Sequence, residues 1–351
     1  MEHTMNDAPE ILTESAPGWL PHGKLIKAVP TPEEATALAF PWKVEQLQLV
    51  AEDKDGKIRR PGPALAATAE AEGLDVQRLN VPGWVANVRS YTGATLGVVK
   101  EGFRPVQNLE LMRLVYAIAE DSGKVEIETA GTFKGGRVVY ILARAKTLIR
   151  VGDTGKDVSV PYLSFLNGHD GGMSLQIQPT AFRICCLNAH RMMLGEDVVH
   201  FSFRHSAGII ERVQQARMAI QAALQGIDLY AQQAADMART PLLQGDAMDF
   251  YRDIYAGKWG LIPFDPKTDE EKRRNRRAGR IISEWVALSN TPRQTFDGIG
   301  GTVWSALQSV TEWADHVKTV RGNGDARSYG NLFGDSHKLK ANAHKMALAL
   351  V

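Results

Sequence analysis

The run from Pro161 to His190, PYLSFLNGHDGGMSLQIQPTAFRICCLNAH, crowds His169, Asp170, Gly171, Gly172, Arg183, Cys185, Cys186, Asn188 and His190 into one short segment. An adjacent His-Asp pair at a strand end is material for a divalent-metal site or an acid–base pair, provided other imidazoles or carboxylates converge on it. His190, Asp197, His200 and His205 follow in the same part of the chain. Gly171-Gly172 favours a tight turn in which Asp170 bonds backbone amides. Three readings stay open: a structural turn, a nucleic-acid contact, and a metal site of His169, Asp170 and His190 serving a metal-dependent hydrolase or nuclease.

Arg183, Cys185 and Asn188 cannot share one strand face. A helix beginning near Cys186 would put Arg183 at its N-terminal edge, where free amides and the dipole favour a phosphate. The alternative pairs Arg183 with a buried carboxylate and packs both cysteines as small hydrophobes. A nucleophilic Cys186 would need a base, and His190 lies one helical turn away. The cysteines are adjacent and have no third partner, which fits a reducing compartment.

A second set is basic and aromatic. Arg89, Tyr91, Lys100, Phe103, Arg104, Lys134 and Arg137, with Tyr140 and Arg144, are spread over two strand pairs. Cations along a groove neutralise a nucleic-acid backbone, and aromatic faces stack its bases. In the same reading the KRRNRRAGR stretch, residues 272–280, offers Arg273, Arg274, Arg276 and Arg277 to phosphates. Asp269, Glu270 and Glu271 precede it, so an ordinary dipole-stabilised surface helix explains it equally well. Glu312, Asp315 and His316 have the i, i+3, i+4 spacing of bundle metal ligands, but no second ligand-bearing helix is evident.

The elements that must position these groups follow from pattern. Residues 1–63 are proline-rich, with a short helix around Thr31–Leu38 opened by Thr31-Pro32-Glu33-Glu34 and an exposed loop or hairpin at residues 51–60. A short alanine-rich helix spans Ala64–Gly73. From Trp84, VANVRSYTG and ATLGVVKEGF read as strands joined at Thr92-Gly93, followed by a helix ending near Gly123. VEIETAGTFKGGRVVYILARA is a hairpin turning at Lys134-Gly135-Gly136. Strands follow at Tyr162–Asn167 and Met173–Gln178, then a short helix at Cys186–Leu194 and a strand at Val198–Arg204. Beyond His205 the period becomes helical: Ile209 to Ala231 forms a long apolar stripe, and helices follow at Leu242–Tyr255, Thr268–Leu288, Gly301–Val320 and Gly334–Leu350. The expected fold is α+β, a central antiparallel β-sheet of hairpins with an inserted helix, followed by a helical C-terminal region. Its divisions are residues 1–80 as arm, 81–205 as α+β core and 206–351 as helical region.

With 41 basic and 40 acidic residues in 351, the whole chain is no polycation, so nucleic-acid binding must use a local patch. No apolar run is long enough to span a membrane, and the first residues lack a signal-peptide profile. There is no GxxxxGK[ST] phosphate loop. These features predict a cytoplasmic protein with no cofactor and no membrane partner.

TGATLGVVKEGFRPVQN, ETAGTFKGGRVVYILA, FLNGHDGG, AFRICCLNAH, Arg204-His205, and the tail GTVWSALQSVTEWADH with RSYGNLFGDSHKLKANA together resemble the phage/plasmid-like protein family of unknown function. Its members occur in prophages and conjugative plasmids, and the resemblance covers roughly residues 80–350. It implies a mobile-element protein. The strand–strand–helix–strand–strand order of residues 84–144 is also similar, in topology alone, to the phage single-strand annealing superfamily. The expected function is binding or annealing of single-stranded DNA in recombination or plasmid establishment, by a non-catalytic homo-oligomer. The alternatives are the hydrolase or nuclease above and an oligomeric assembly or host-interaction protein working through the Ile209–Ala231 stripe.

Overall fold

The computed structural model describes residues 24–50, 80–185, 188–191, 193–194, 197–198, 201–209, 211, 217–320 and 324–351. The expected loop at residues 51–60 and helix at residues 64–73 lie outside the described residues, as do Cys186, His200 and the side chain of His190.

Helix α1 (Pro32–Ala39) starts where the capping pattern predicts: the Thr31 hydroxyl accepts from the Glu34 amide at 3.2 Å. Strands β1 (Lys24–Leu25) and β2 (Val44–Val50) flank it. Then come β3 (Asn80–Arg89), β4 (Thr95–Lys100) and α2 (Asn108–Ser122), which ends on Gly123 in the left-handed conformation that glycine adopts readily. The chain continues through β5 (Val125–Phe133), a short 3-10 turn (Lys134–Gly136) and β6 (Val138–Ala145). Next are β7 (Ile149–Val151), β8 (Asp157–Gly168) and β9 (Leu175–Arg183). Four short strands close the β region: β10 (Asn188–Arg191), β11 (Met193–Leu194), β12 (Asp197–Val198) and β13 (Phe201–Phe203).

The α+β class is as expected, with antiparallel sheets and a helical C-terminal region, but the two predicted hairpins divide between sheets. β3 and β4 pair with β2 in a three-stranded sheet, while β5 and β6 join β1, β8, β9 and β10 in the large one. Arm strands β1 and β2 add a partner to each hairpin, satisfying backbone groups that would otherwise lie on an open edge. The topological likeness to the annealing proteins therefore does not extend to one shared sheet. The helix expected at Cys186–Leu194 is also corrected. Residues 188–191 run antiparallel to β9, with Asn188 opposite Arg183, and complete an edge that β13 covers at the other end.

The helical region comprises α3 (Arg217–Arg239), α4 (Gln244–Trp259), α5 (Asp269–Ser289), α6 (Pro292–Thr295), α7 (Val303–Glu312), α8 (Gly324–Phe333) and α9 (Asp335–Leu348). The sequence pattern left α8 unassigned, in the gap between the helices expected at Gly301–Val320 and Gly334–Leu350. Thr268 and Glu271 form the capping box that opens α5. α7 is buried along its whole length among α3, α5 and α9 and ends in a π-helical turn, Trp313–Val317. Leu224, Ile227, Tyr230, Ala234 and Met237 on α3 are buried against α7, β7 and β9, so the described part of the apolar stripe is core rather than an exposed working surface. One hydrophobic cluster runs from α1 and α2 through one face of the large sheet into α3, α7 and α9. Among the described residues no helix is long and apolar enough to cross a membrane.

Candidate nucleic-acid interface

Three glycine-bearing turns meet at one end of the two sheets. The β3–β4 turn carries Tyr91, the β5–β6 turn carries Lys134, and the β8–β9 turn carries His169 and Asp170. Arg89 fastens the first to the second by donating from Nη2 to the Gly135 carbonyl at 2.8 Å, with its guanidinium 4.6 Å over the Trp42 ring. Gly136 is favoured there by its φ of 93°, and a Cβ would lie 2.1 Å from Arg89 Nη2 and push the guanidinium off the Gly135 carbonyl. The third turn is held by the His169 amide donating to the Arg137 carbonyl and the Asn87 amide donating to the His169 carbonyl, each at 2.7 Å. Gly97 of β4 admits it closely: a Cβ would lie 2.5 Å from the Asp170 Cα.

Behind these turns runs a buried polar seam between the sheets. His169 is fully buried, packs edge-on against Trp42 at 5.7 Å, and donates from Nε2 to Asn108 Oδ1 at 3.2 Å. Asn108 in turn donates to the Trp42 carbonyl, which fixes its orientation and the imidazole tautomer. Burial pushes His169 down to about 3, with neighbouring His205 acting in the same direction. His205 stacks on Phe103 at 4.5 Å and donates from Nδ1 to the Arg104 carbonyl at 3.1 Å. Burial lowers its pKa too, against the opposing influence of the Arg104 and Met173 backbone groups. Burial thus keeps both rings neutral, and among the described residues His169 Nδ1 has no hydrogen-bond partner. Asp170 instead accepts from the Gly172 amide at 2.9 Å, the turn role open to it from sequence. His169 and Asp170 thus face different surroundings, and no group of three His, Cys, Asp or Glu among the described residues could hold a metal.

The basic and aromatic set divides sharply. Tyr91 is 93% exposed and sits at φ 67°, a left-handed conformation uncommon for a bulky side chain. Lys100, Arg104, Lys134 and Arg137 are exposed, and none of Arg89, Lys100, Arg104 or Arg137 forms an ion pair with a described residue. Lys134 Nζ lies 3.7 Å over the ring of Tyr329 from α8. Phe103 is half-buried with a face occupied by His205, so it braces the seam. On α5, Arg273, Arg276 and Arg277 are exposed, Arg277 lying 5.2 Å from the Trp259 ring centroid, whereas Arg274 pairs with Glu270. α5 packs on α4, α6, α7 and the π turn, so these arginines form a basic surface on different elements from the turn edge.

The phosphate reading of Arg183 is corrected, and its alternative, a buried carboxylate partner, holds. It is 1% exposed, so no phosphate reaches it. Its Nε donates to Asp157 at 2.7 Å, Nη1 to Gln294 at 2.6 Å and Nη2 to the Arg293 carbonyl at 3.0 Å. Asp157 also accepts from Trp304 Nε1, and Gln294 donates to Glu312, so the network binds the sheet to α6 and α7. Glu312 serves this network while Asp315 pairs with buried Lys340 at 2.7 Å, so the expected ligand face on that helix is divided.

Sequence reading missed Trp42 and Tyr329, the aromatic supports under Arg89 and Lys134. Each comes from an element far along the chain, and no local spacing signals the pairing.

The fold and this edge define an α+β protein that presents exposed cations and an exposed aromatic on turns braced by a buried polar seam. The chain belongs to the family described as a domain of unknown function, DUF932, whose profile matches residues 95–332. No curated protein and no solved structure matches it.

Proposed function

We propose that the chain binds single-stranded nucleic acid, DNA foremost, along the turn edge and without catalysis, as a protein of phage or plasmid elements. The observation that carries this reading is the convergence of Tyr91, Lys134 and Arg137 on two turns that Arg89 clasps together, with no described carboxylate paired to Arg89 or Arg137. Such an edge supplies what a sequence-tolerant single-strand binder needs: cations spaced for a backbone and an aromatic face for a base. Tyr91 supports the reading because strain held at an exposed turn without a packing reason is a mark of function. Lys100 and Arg104 extend the cationic surface on the β4 side. Annealing and self-association are further steps of the same proposal, and the α5 arginines are a second contact surface within it.

The test is fluorescence anisotropy with single- and double-stranded oligonucleotides at about 50 mM and about 200 mM salt. The expected result is preference for single strands and an affinity that falls steeply with salt. No binding at micromolar protein, or tight binding indifferent to salt, overturns the proposal.

A further inference from the structure

An antiparallel sheet packed on one side ordinarily turns polar side chains to water on the other. The three-stranded sheet departs from this. Asn87 and Gly97 sit opposite each other on the face turned to the large sheet, where Asn87 donates to the His169 carbonyl and Gly97 admits Asp170. Side chains alternate across a strand, so Leu47, Ala86 and Val98 form a cross-strand row on the outer face, and Trp84 and Lys100 form the next. The outward residues of β3 in these rows are therefore apolar, while fully buried Asn87 between them points inward.

On this outer face Leu47 is 50%, Val98 49% and Trp84 42% exposed, around a buried Ala86. Single exposed apolar residues need no explanation, but three in adjacent rows of one face mark a contact surface. Trp84 is the only exposed tryptophan among the described residues. Lys100 lies directly across from it and is exposed as well. The carboxylate in these rows, Glu45, lies two rows away, opposite Val88. The other end of the same sheet carries the Tyr91 turn, and about 17 Å of extended strand separates Trp84 from Arg89.

Size decides the kind of occupant. Two rows on three strands give a footprint on the order of 100 Å², far below the roughly 800 Å² per partner of a standard protein interface. It suffices for a base against an indole ring, and the neighbouring ammonium supplies what the adjoining phosphate needs. We infer that Trp84 is a base-stacking residue and Lys100 its phosphate partner, so that a single strand held at the Tyr91 turn continues across the outer face of the small sheet. This role deepens the single-strand reading and rests on it for the ligand.

The deciding experiment follows oligothymidine binding to the full chain by anisotropy and, with unlabelled strand, by tryptophan emission. Single strands should quench the wild-type emission, and most of that quench should be missing in Trp84→Phe, which keeps a ring and most of the affinity. Trp84→Ala should weaken binding about 5- to 150-fold with the salt slope unchanged, because a stacking face is lost and no charge. Lys100→Ala should instead lower the slope of log affinity against log salt by about 0.7. Thermal melting confirms that each variant is folded. If the wild type binds single strands and Trp84→Ala binds them equally well, the inference is overturned while the turn-edge reading stands. If the wild type binds no strand, both fall. A wild-type oligomer that Trp84→Ala dissociates without nucleic acid present makes this face a contact between copies, and that also overturns the inference.

Discussion

Arg183 and Arg137 sit in the same sheet, each beside a strand end, and do opposite things. Arg183 is enclosed by Asp157, Gln294 and the Arg293 carbonyl, joining the sheet to the helical region. Arg137 lends its carbonyl to the His169 turn and leaves its guanidinium exposed. The residue type is the same; what differs is whether a distant element delivers a carboxylate. Arginine's fixed fork suits both tasks, so the partner rather than the side chain decides between scaffold and interface.

The largest effect that sharpens this contrast is on stability. Arg183→Ala or Asp157→Asn strands the other charge in the interior and should cost about 3–5 kcal/mol in urea unfolding. Arg137→Ala, at an exposed position, should stay within about 0.5 kcal/mol. Equal losses from the two arginines would break the comparison.

The seam behind the edge adds a pH dependence. An unfolded imidazole binds a proton below its ordinary 6.5, whereas buried His169 takes one only near 3. Between those values the unfolded state holds more protons, so stability falls on acidification, by about 1.4 kcal/mol per pH unit for this ring. His344, held near 4 by burial, adds to the same trend. Urea midpoints between about pH 7.5 and about pH 5 should therefore drop more steeply in the wild type than in His169→Gln. Identical slopes would show that His169 is not buried neutral.

The parts of the fold governed by local rules were legible in sequence. Thr31-Pro32-Glu33-Glu34 set α1, Thr268 with Glu271 set α5, and Lys134-Gly135-Gly136 set the β5–β6 turn. What failed was decided by pairing at a distance. Residues 188–191 become a strand because β9 offers them an open edge, and β2 draws β3 and β4 into a sheet of their own. The site followed the same division. Lys134 and Arg137 are exposed as read, because turns expose what they carry, while the phosphate reading of Arg183 failed and its carboxylate alternative held, although Asp157 and Gln294 leave no trace near it in sequence.

On the interface side of the comparison, Arg137→Ala should weaken single-strand binding several-fold and reduce the slope of log affinity against log salt by about 0.7, as expected for one lost phosphate contact. Anisotropy titrations at several salt concentrations measure both. The same change at an α5 residue, Arg276→Ala, tells whether that second surface acts with the first. A reduced slope there places both on one bound strand, and an unchanged slope confines binding to the turn edge.

Tyr91 gives the smallest effect and the one with opposed signs. Its backbone at φ 67° carries a left-handed strain of about 1–2 kcal/mol that glycine would not feel. Glycine's larger unfolded-state entropy offsets part of that gain, so Tyr91→Gly should raise stability by under about 1 kcal/mol. If the exposed ring stacks on a base, the same variant should lose about 5- to 150-fold in single-strand affinity, the range for one base–aromatic contact. Tyr91→Phe should keep affinity, since stacking needs the ring face and not the hydroxyl. A Tyr91→Gly protein that is more stable and binds as well as the wild type would leave the strained tyrosine without a purpose at this edge, and would reduce the interface to its cations alone.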